Sequence, residues 1–243
     1  MTKLPACILN SDVLTACEGC LARDRSNEHL IAGLTCAKRT MEPAQHLFVG
    51  SDEQLHVYLI RSGAVCLYKM LRGGRRQIVA FKFAGDFIIP ATNGPHRFSA
   101  QAMTAVELRV FPLALFRAAA NEDARFMARL HEIAVAELCK AYDLISILGH
   151  HDAEASVAAF LLDVDGRAAL HVGGAGAVIL PMLRIDIADY LGLTHETVSR
   201  VLTSFKRKGL IDVGRGRTVR IKERSALAAL VGKAESAVSS GAR

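Results

Sequence analysis

The chain has 243 residues, 30 Lys and Arg against 24 Asp and Glu for a formal charge of +6, a 51% hydrophobic composition and six cysteines. That length is long for one domain and the apolar fraction can fill two cores. No uninterrupted apolar run is long enough to span a membrane, so a cytoplasmic two-domain protein with no membrane contact is expected.

The N-terminus lacks the pattern of a secretory leader: Lys3 is followed by Pro5 and Cys7, and Asn10, Ser11 and Asp12 interrupt any apolar stretch. Six cysteines in such a chain point to reduced thiols, metal ligation or redox sensing before structural disulfides. Cys17-Glu-Gly-Cys20 is a C-x2-C pair flanked by Cys7 and Cys36, and thiolates at that spacing can chelate iron or zinc.

From about Leu47 to Phe116 short alternating strands are punctuated by glycine: Leu47-Phe-Val-Gly50, His56-Val-Tyr-Leu-Ile60, Ala64-Val-Cys-Leu-Tyr68, Gln77-Ile-Val-Ala-Phe81 and Gly85-Asp86-Phe87-Ile88-Ile89. Such spacing suits a small antiparallel barrel or jelly roll. Arg72-Gly-Gly-Arg-Arg76 reads as a charged hairpin tip.

Asp123 to Gly149 form a long helical pattern with apolar residues at Met127, Leu130, Ala134, Leu138, Ala141, Leu144/Ile145 and Leu148. The interval is near 3.5 residues, as in a coiled-coil seam, but a helix packing on its own domain gives a similar signal. Cys66 and Cys139 fall on apolar faces, where a free cysteine is usually a small hydrophobe. Neighbouring residues on a helix point about 100° apart, so His150-His151-Asp152 do not converge on one ion. Imidazole near a helix C-terminus and Asp152 capping the next helix, Ala153 to Val164, account for the trio.

Near the C-terminus, Arg184-Ile-Asp-Ile-Ala-Asp-Tyr-Leu-Gly192-Leu-Thr-His195-Glu196-Thr197-Val198-Ser199-Arg200-Val-Leu forms two helical patterns hinged on a glycine. Ile185, Ala188 and Leu191, then Leu193, Val198, Val201, Leu202 and Phe205, supply inward faces, while Glu196, Ser199, Arg200 and Thr203 face outward. Thr194 is placed to cap the second helix, and Gly192 permits the reversal. Arg200 suits guanine O6 and N7, Glu196 suits cytosine N4, and Ser199 can meet a base edge. Alternatively, Glu196 and Arg200, spaced i and i+4, form only a surface ion pair. Lys206-Arg207-Lys208, Gly209, Leu210-Ile-Asp-Val213 and Thr218-Val-Arg-Ile-Lys222 continue the pattern into a basic wing. Residues 184–224 hold ten Lys/Arg against five Asp/Glu, a net +5 of the chain's +6.

These motifs resemble the CRP/FNR family of bacterial transcription regulators across nearly the whole chain. His195-Glu196-Thr197-Val-Ser199-Arg200 is similar to the E-x-x-S-R recognition pattern of the FNR and FixK branch, which reads a TTGAT-type half-site. The resemblance implies an α+β fold with an N-terminal cyclic-nucleotide-binding-like β-roll, a long dimerisation helix and a C-terminal winged helix-turn-helix. Its expected divisions are a cysteine-containing segment (1–29), the effector roll (30–118), the dimerisation helix (119–149), the DNA-binding domain (150–226) and a C-terminal tail (227–243). It also favours the dimer role for the long helix, two copies placing their recognition helices on a palindrome.

Nucleotide-binding relatives use a glutamate for the ribose and an adjacent Arg-Ser pair for the cyclic phosphate. After Gly85-Asp86-Phe87 this chain offers Ile88-Ile-Pro90-Ala-Thr-Asn93-Gly with no glutamate, and Phe98 separates Arg97 from Ser99, so no cyclic nucleotide is expected. Oxygen-sensing relatives hold a [4Fe–4S] cluster on an N-terminal cysteine group plus a cysteine in the roll. Cys17 and Cys20 match part of that group. Ser26 stands nearest the missing third cysteine and Arg109 stands at the roll position, so either Cys7 and Cys36 complete an altered set of candidate ligands or no cluster forms.

The function expected is that of a homodimeric DNA-binding transcription regulator, an activator by family likeness alone, contacting double-stranded DNA through His195, Glu196, Thr197, Ser199, Arg200 and Lys206, in oxygen- or redox-responsive control with RNA polymerase as a partner. The alternative is a redox or ligand-binding protein whose winged helix mediates protein contacts. No phosphate-binding loop, zinc-protease pattern or nucleophile–histidine spacing indicates an enzyme.

Overall fold

A computed structural model describes residues 31, 33–90, 94–150, 152–171, 178–214 and 218–241. The chain separates at Gly33 into two units, and everything described below belongs to the second, Leu34–Arg243. Cys7, Cys17 and Cys20 lie outside the described residues.

Eight strands open this unit: β1 (Ala37–Met41), β2 (His46–Phe48), β3 (His56–Ser62), β4 (Ala64–Met70), β5 (Arg76–Phe83), β6 (Phe87–Ile88), β7 (Ser99–Ala102) and β8 (Val106–Pro112). They form two antiparallel four-stranded sheets, ordered β1-β8-β3-β6 and β2-β7-β4-β5. Met41, Ile60, Val65, Ala100 and Leu108 belong to the buried cluster between them. This is the expected β-roll. β1 and β7 were not foreseen: β1 buries only Met41, and β7 reads Ser-Ala-Gln-Ala, without the branched or aromatic residues that mark strands. The β3–β4 turn needs Gly63, whose φ is +88° and whose added Cβ would lie 2.2 Å from the Ala105 carbonyl oxygen.

Two helices follow, α1 (Leu113–Glu122) and α2 (Ala124–His150). Asp123 is extended between them (φ −118°, ψ 106°), and its Oδ1 accepts the Arg125 N–H at 2.8 Å. The break means that residues 119–122 belong to α1 rather than to the long helix. Phe126 and Leu144 face the chain's own core, whereas Val135, Leu138, Tyr142, Ile145 and Leu148 are 45–62% exposed at three- and four-residue intervals. A helix packed only on its own domain would not leave such a stripe to water.

The remainder comprises α3 (Ala153–His171), β9 (Val178–Ile179), α4 (Arg184–Leu191), α5 (His195–Arg207), β10 (Ile211–Val213), β11 (Thr218–Ile221) and α6 (Arg224–Gly241). Asp152 Oδ1 accepts the Ala155 N–H at 2.8 Å, the expected cap, and α3 runs beyond Val164 to His171. β10, β11 and β9 form a small antiparallel sheet in that order. The stretch 227–243 set apart as a tail instead continues α6 to Gly241. Leu227 and Val231, one helical turn apart, are buried, and α6 packs against α3. Cys66, Ile78 and Phe81 on the outer face of the roll share one buried cluster with Phe160, Leu191, Val198 and Phe205 of the winged helix. Among the described residues, no helix is long and apolar enough to cross a membrane.

Candidate DNA interface

The two helices of the reading head meet at Gly192, which takes the left-handed conformation (φ 65°, ψ 24°) that ends α4. Thr194 Oγ1 then accepts the Thr197 N–H at 3.2 Å and starts α5, as its position before the helix anticipates. Val198, Val201, Leu202 and Phe205 are buried on one side of α5. His195, Glu196, Arg200, Thr203 and Lys206 are exposed on the other, with Thr197 and Ser199 half-buried at its edge. Six of the expected contact residues therefore lie on one helix, with its polar face open to solvent.

Ile185 corrects the expected packing of α4: it is 51% exposed, and Ile187 takes the inward position beside Ala188 and Leu191. Asp186 causes this rotation. Its Oδ2 accepts the Leu183 N–H at 2.8 Å, which caps the helix start and turns the carboxylate inward.

Arg184 Nη1 donates to Ser199 Oγ at 3.3 Å and Thr203 Oγ1 donates to the Ser199 carbonyl at 2.8 Å, so Ser199 is held from two sides. The Glu196 carboxyl sits below its ordinary pKa, first through a hydrogen bond from its own backbone N–H and then through one from the Thr194 hydroxyl, and it is ionised at neutral pH. Its Oε1 lies 4.0 Å from the His195 ring Nδ1. Glu196 and Arg200, both among the described residues, form no ion pair with each other, unlike the surface pair their spacing allows. Lys208 Nζ instead binds both oxygens of Glu154 at 2.9 Å and ties the end of α5 to α3. A groove lined by Asp152, Ala153, Thr197, Arg200, Thr203 and Arg207 runs between α3 and the recognition face.

The wing begins as expected, Asp212 pairing with Arg220 and Val213 with Val219. Arg215 and Arg217 at its tip lie outside the described residues.

Sequence reasoning missed how this head is fastened to the roll. Arg76 on β5 forms ion pairs with Asp186 and, at 2.8 Å, with Asp189 of α4. Burial works against the Arg76 charge, but hydrogen bonds to Asp189 and Asp186 outweigh it and its pKa is raised. Gln77 Nε2 donates to the Asp189 carbonyl at 2.6 Å. Arg167 of α3 reaches back to the roll, donating to the Phe81 carbonyl at 3.0 Å and to Asp86 at 2.8 Å. Across the same joint, the Phe81 ring of the roll and the Tyr190 ring of α4 lie 5.0 Å apart, and burial pushes the Tyr190 phenol up. These partners are more than a hundred residues apart for Arg76, and no local pattern could pair them.

Among the described residues, no group of three or more His, Cys, Asp or Glu is placed to hold a metal ion. Of the four candidate cluster ligands only Cys36 is described, half-buried and free before β1. Cys66 is buried, and burial pushes its thiol up to about 11, so it is a small hydrophobe as expected. Arg97 is exposed, and Ser99 Oγ accepts the Gly50 N–H at 3.0 Å. Lys82 points from β5 to Glu137 of α2 and pairs with it.

The family model of the Crp-like helix-turn-helix domain matches residues 155–230, and that of the cyclic nucleotide-binding domain matches residues 38–123. The chain is 42% identical over 170 residues to the nitrogen fixation regulation protein FixK of Bradyrhizobium diazoefficiens, covering 70% of this chain and 72% of that protein. It is 32% identical over 197 residues to the fumarate and nitrate reduction regulatory protein of Salmonella typhimurium, covering 80% and 78%. The structure of FixK2 from Bradyrhizobium japonicum superposes with a TM-score of 0.76 at 34% identity, covering 81% of this chain and 98% of that one.

Proposed function

Because the chain belongs to the CRP/FNR family of transcription regulators, which bind DNA and act as dimers, we propose that it binds a TTGAT-type palindrome as a homodimer and activates transcription in oxygen- or redox-responsive control. The observation that carries this reading is α5: its apolar side is sealed into the core while Glu196, Arg200 and Lys206 stand exposed. A major groove admits one such helix and offers the donors and acceptors these side chains match. A protein-docking face would need apolar anchors, and the outward face of α5 carries none.

In this reading Arg200 takes a guanine edge, Glu196 accepts from a cytosine amine, and Ser199, steadied by Arg184, completes the base contacts. Thr197, His195 and Lys206 meet the backbone or the groove edge. The exposed stripe of α2 supplies the dimer seam, and two copies would present two recognition helices to one palindrome. The match to FixK and to the fumarate and nitrate reduction regulator supports placing the chain in oxygen-responsive control, with RNA polymerase as the partner of the bound dimer.

Fluorescence anisotropy on a TTGAT-N4-ATCAA duplex tests the reading. Wild type should bind it more tightly than a scrambled duplex, and Arg200→Ala should lose about 1–3 kcal/mol, concentrated at one base pair. Equal binding of both duplexes, or indifference to Arg200→Ala, removes base readout by α5 and returns the protein-contact reading.

The signal is tested separately. Cys7, Cys17, Cys20 and Cys36 are the proposed ligands of an oxygen-labile [4Fe–4S] cluster. Protein purified without air should then carry iron and acid-labile sulfide, and its visible absorption should bleach in oxygen as DNA affinity falls. A colourless, iron-free protein that binds the duplex equally in air removes the cluster and leaves the DNA-binding reading intact.

A further inference from the structure

We propose that Arg76, on the β-roll and outside the winged helix, is a positioning residue for DNA recognition: it docks α4 and thereby sets where α5 stands relative to the dimer axis. The proposal rests on the palindrome-binding reading above.

The argument starts from the carboxylate that Arg76 grips. Asp186 uses Oδ2 to cap α4 through the Leu183 N–H and accepts Arg76 Nη2 on its other oxygen, Oδ1. The guanidinium is thus bonded to the group that starts the helix, and its Nε reaches Asp189 one turn later at 2.8 Å. A planar fork held by two carboxylates on one helix fixes direction as well as distance. Gln77 holds the Asp189 carbonyl at 2.6 Å from the next position of β5.

The hold passes on to the recognition helix. Leu191 of α4 and Val198, Val201, Leu202 and Phe205 of α5 lie in one buried cluster, and Arg184 of α4 bonds Ser199. On the far side, Leu148 near the end of α2 stands 3.2 Å from where a Cβ on Gly192 would lie. The reading head is therefore held between the roll, through Arg76, and the helix that carries the dimer stripe. The Arg167 contacts to Asp86 and Phe81 brace the same joint with the polarity reversed, arginine on the winged-helix side and carboxylate on the roll.

A dimer on a palindrome is a bivalent binder. Engagement of the second half-site is intramolecular, with an effective concentration set by how firmly the two heads are held at the right separation. Loosening the joint leaves each head's own base contacts intact and lowers that effective concentration. A positioning role thus has a signature that a loss of stability lacks.

The test compares wild type, Arg76→Ala, Arg76→Lys and Asp189→Asn on three duplexes: the full palindrome, a single half-site, and palindromes with one base pair added to or removed from the spacer. The dimer mass and the circular dichroism of each variant are checked first. Arg76→Ala should bind the palindrome roughly tenfold more weakly, bind the half-site like wild type, and discriminate less between spacers. Arg76→Lys should recover part of the loss, and Asp189→Asn should reproduce it in milder form. Palindrome affinity equal to or above that of wild type overturns the proposal, as does an equal loss on palindrome and half-site. Should Arg76→Ala fail to fold, Asp189→Asn decides by the same comparison. If wild type itself does not prefer the palindrome, the functional reading fails and takes this one with it.

Discussion

The Lys82 ammonium and the Glu137 carboxylate join β5 to α2, with Lys82 only 5% exposed and Lys140 adding a second cation to Glu137 at 2.9 Å. Burial alone would raise the Glu137 pKa, but Lys82 and Lys140 outweigh it and bring it down to about 2. A carboxyl whose folded pKa is depressed stabilises fully above its unfolded value and loses that contribution as pH falls through the folded one. The window runs from about pH 4.5 down to about 2. With a third of the side chain in water, the contribution is on the order of 1–2 kcal/mol. Glu137→Gln, which strands the Lys82 charge, should be less stable at pH 7 by about 1–3 kcal/mol. Urea unfolding at fixed protein concentration should show the gap closing across that window, and a gap constant with pH would refute the assignment.

Gly63→Ala should destabilise the chain by about 2 kcal/mol or more, because the new Cβ has both a positive φ and the Ala105 carbonyl to contend with. Gly73→Ala shares the positive φ, at +90°, but meets nothing within 4 Å. Its loss should be about 1 kcal/mol. Thermal melts of the two variants separate the clash from the conformational strain, and equal losses would deny the close approach at Gly63.

Ile145→Asp places a charge in the centre of the exposed α2 stripe, where Ile145 is 62% exposed in one copy. If two copies pair along that stripe, sedimentation velocity should show a monomer at micromolar concentration and palindrome affinity should fall by more than about 30-fold. A variant that stays dimeric would move the seam elsewhere.

Lys206→Ala should weaken binding to specific and scrambled duplexes alike and lower the slope of log K against log salt by about 1. A base-selective loss would instead place Lys206 among the residues that read sequence.

The reading head was legible because its signals are local. A capping threonine, a hinge glycine and apolar residues at helical spacing act within one turn of each other, and Thr194, Gly192 and Phe205 all do what their positions imply. Ile185 was misread because periodicity counts only apolar residues and could not see that Asp186 turns inward to cap the helix. β7 was invisible because Ser-Ala-Gln-Ala pairs as a strand through its neighbours β2 and β4 rather than through propensity. The joint between roll and winged helix had no local trace, since Arg76, Asp186 and Arg167 acquire their meaning only when distant segments meet.

Cys66 lies in the buried cluster shared by the roll and the winged helix, 1% exposed, with its thiol pushed up to about 11. A bulky alkylating reagent reaches that sulfur only when the two halves part, and even then meets a poor nucleophile. Its labelling rate, resolved by mass from those of the five other cysteines, therefore counts excursions of the joint in the native chain, with no probe introduced. Any agent that tightens or relaxes the grip on the reading head can be found by the slowing or quickening of that single modification.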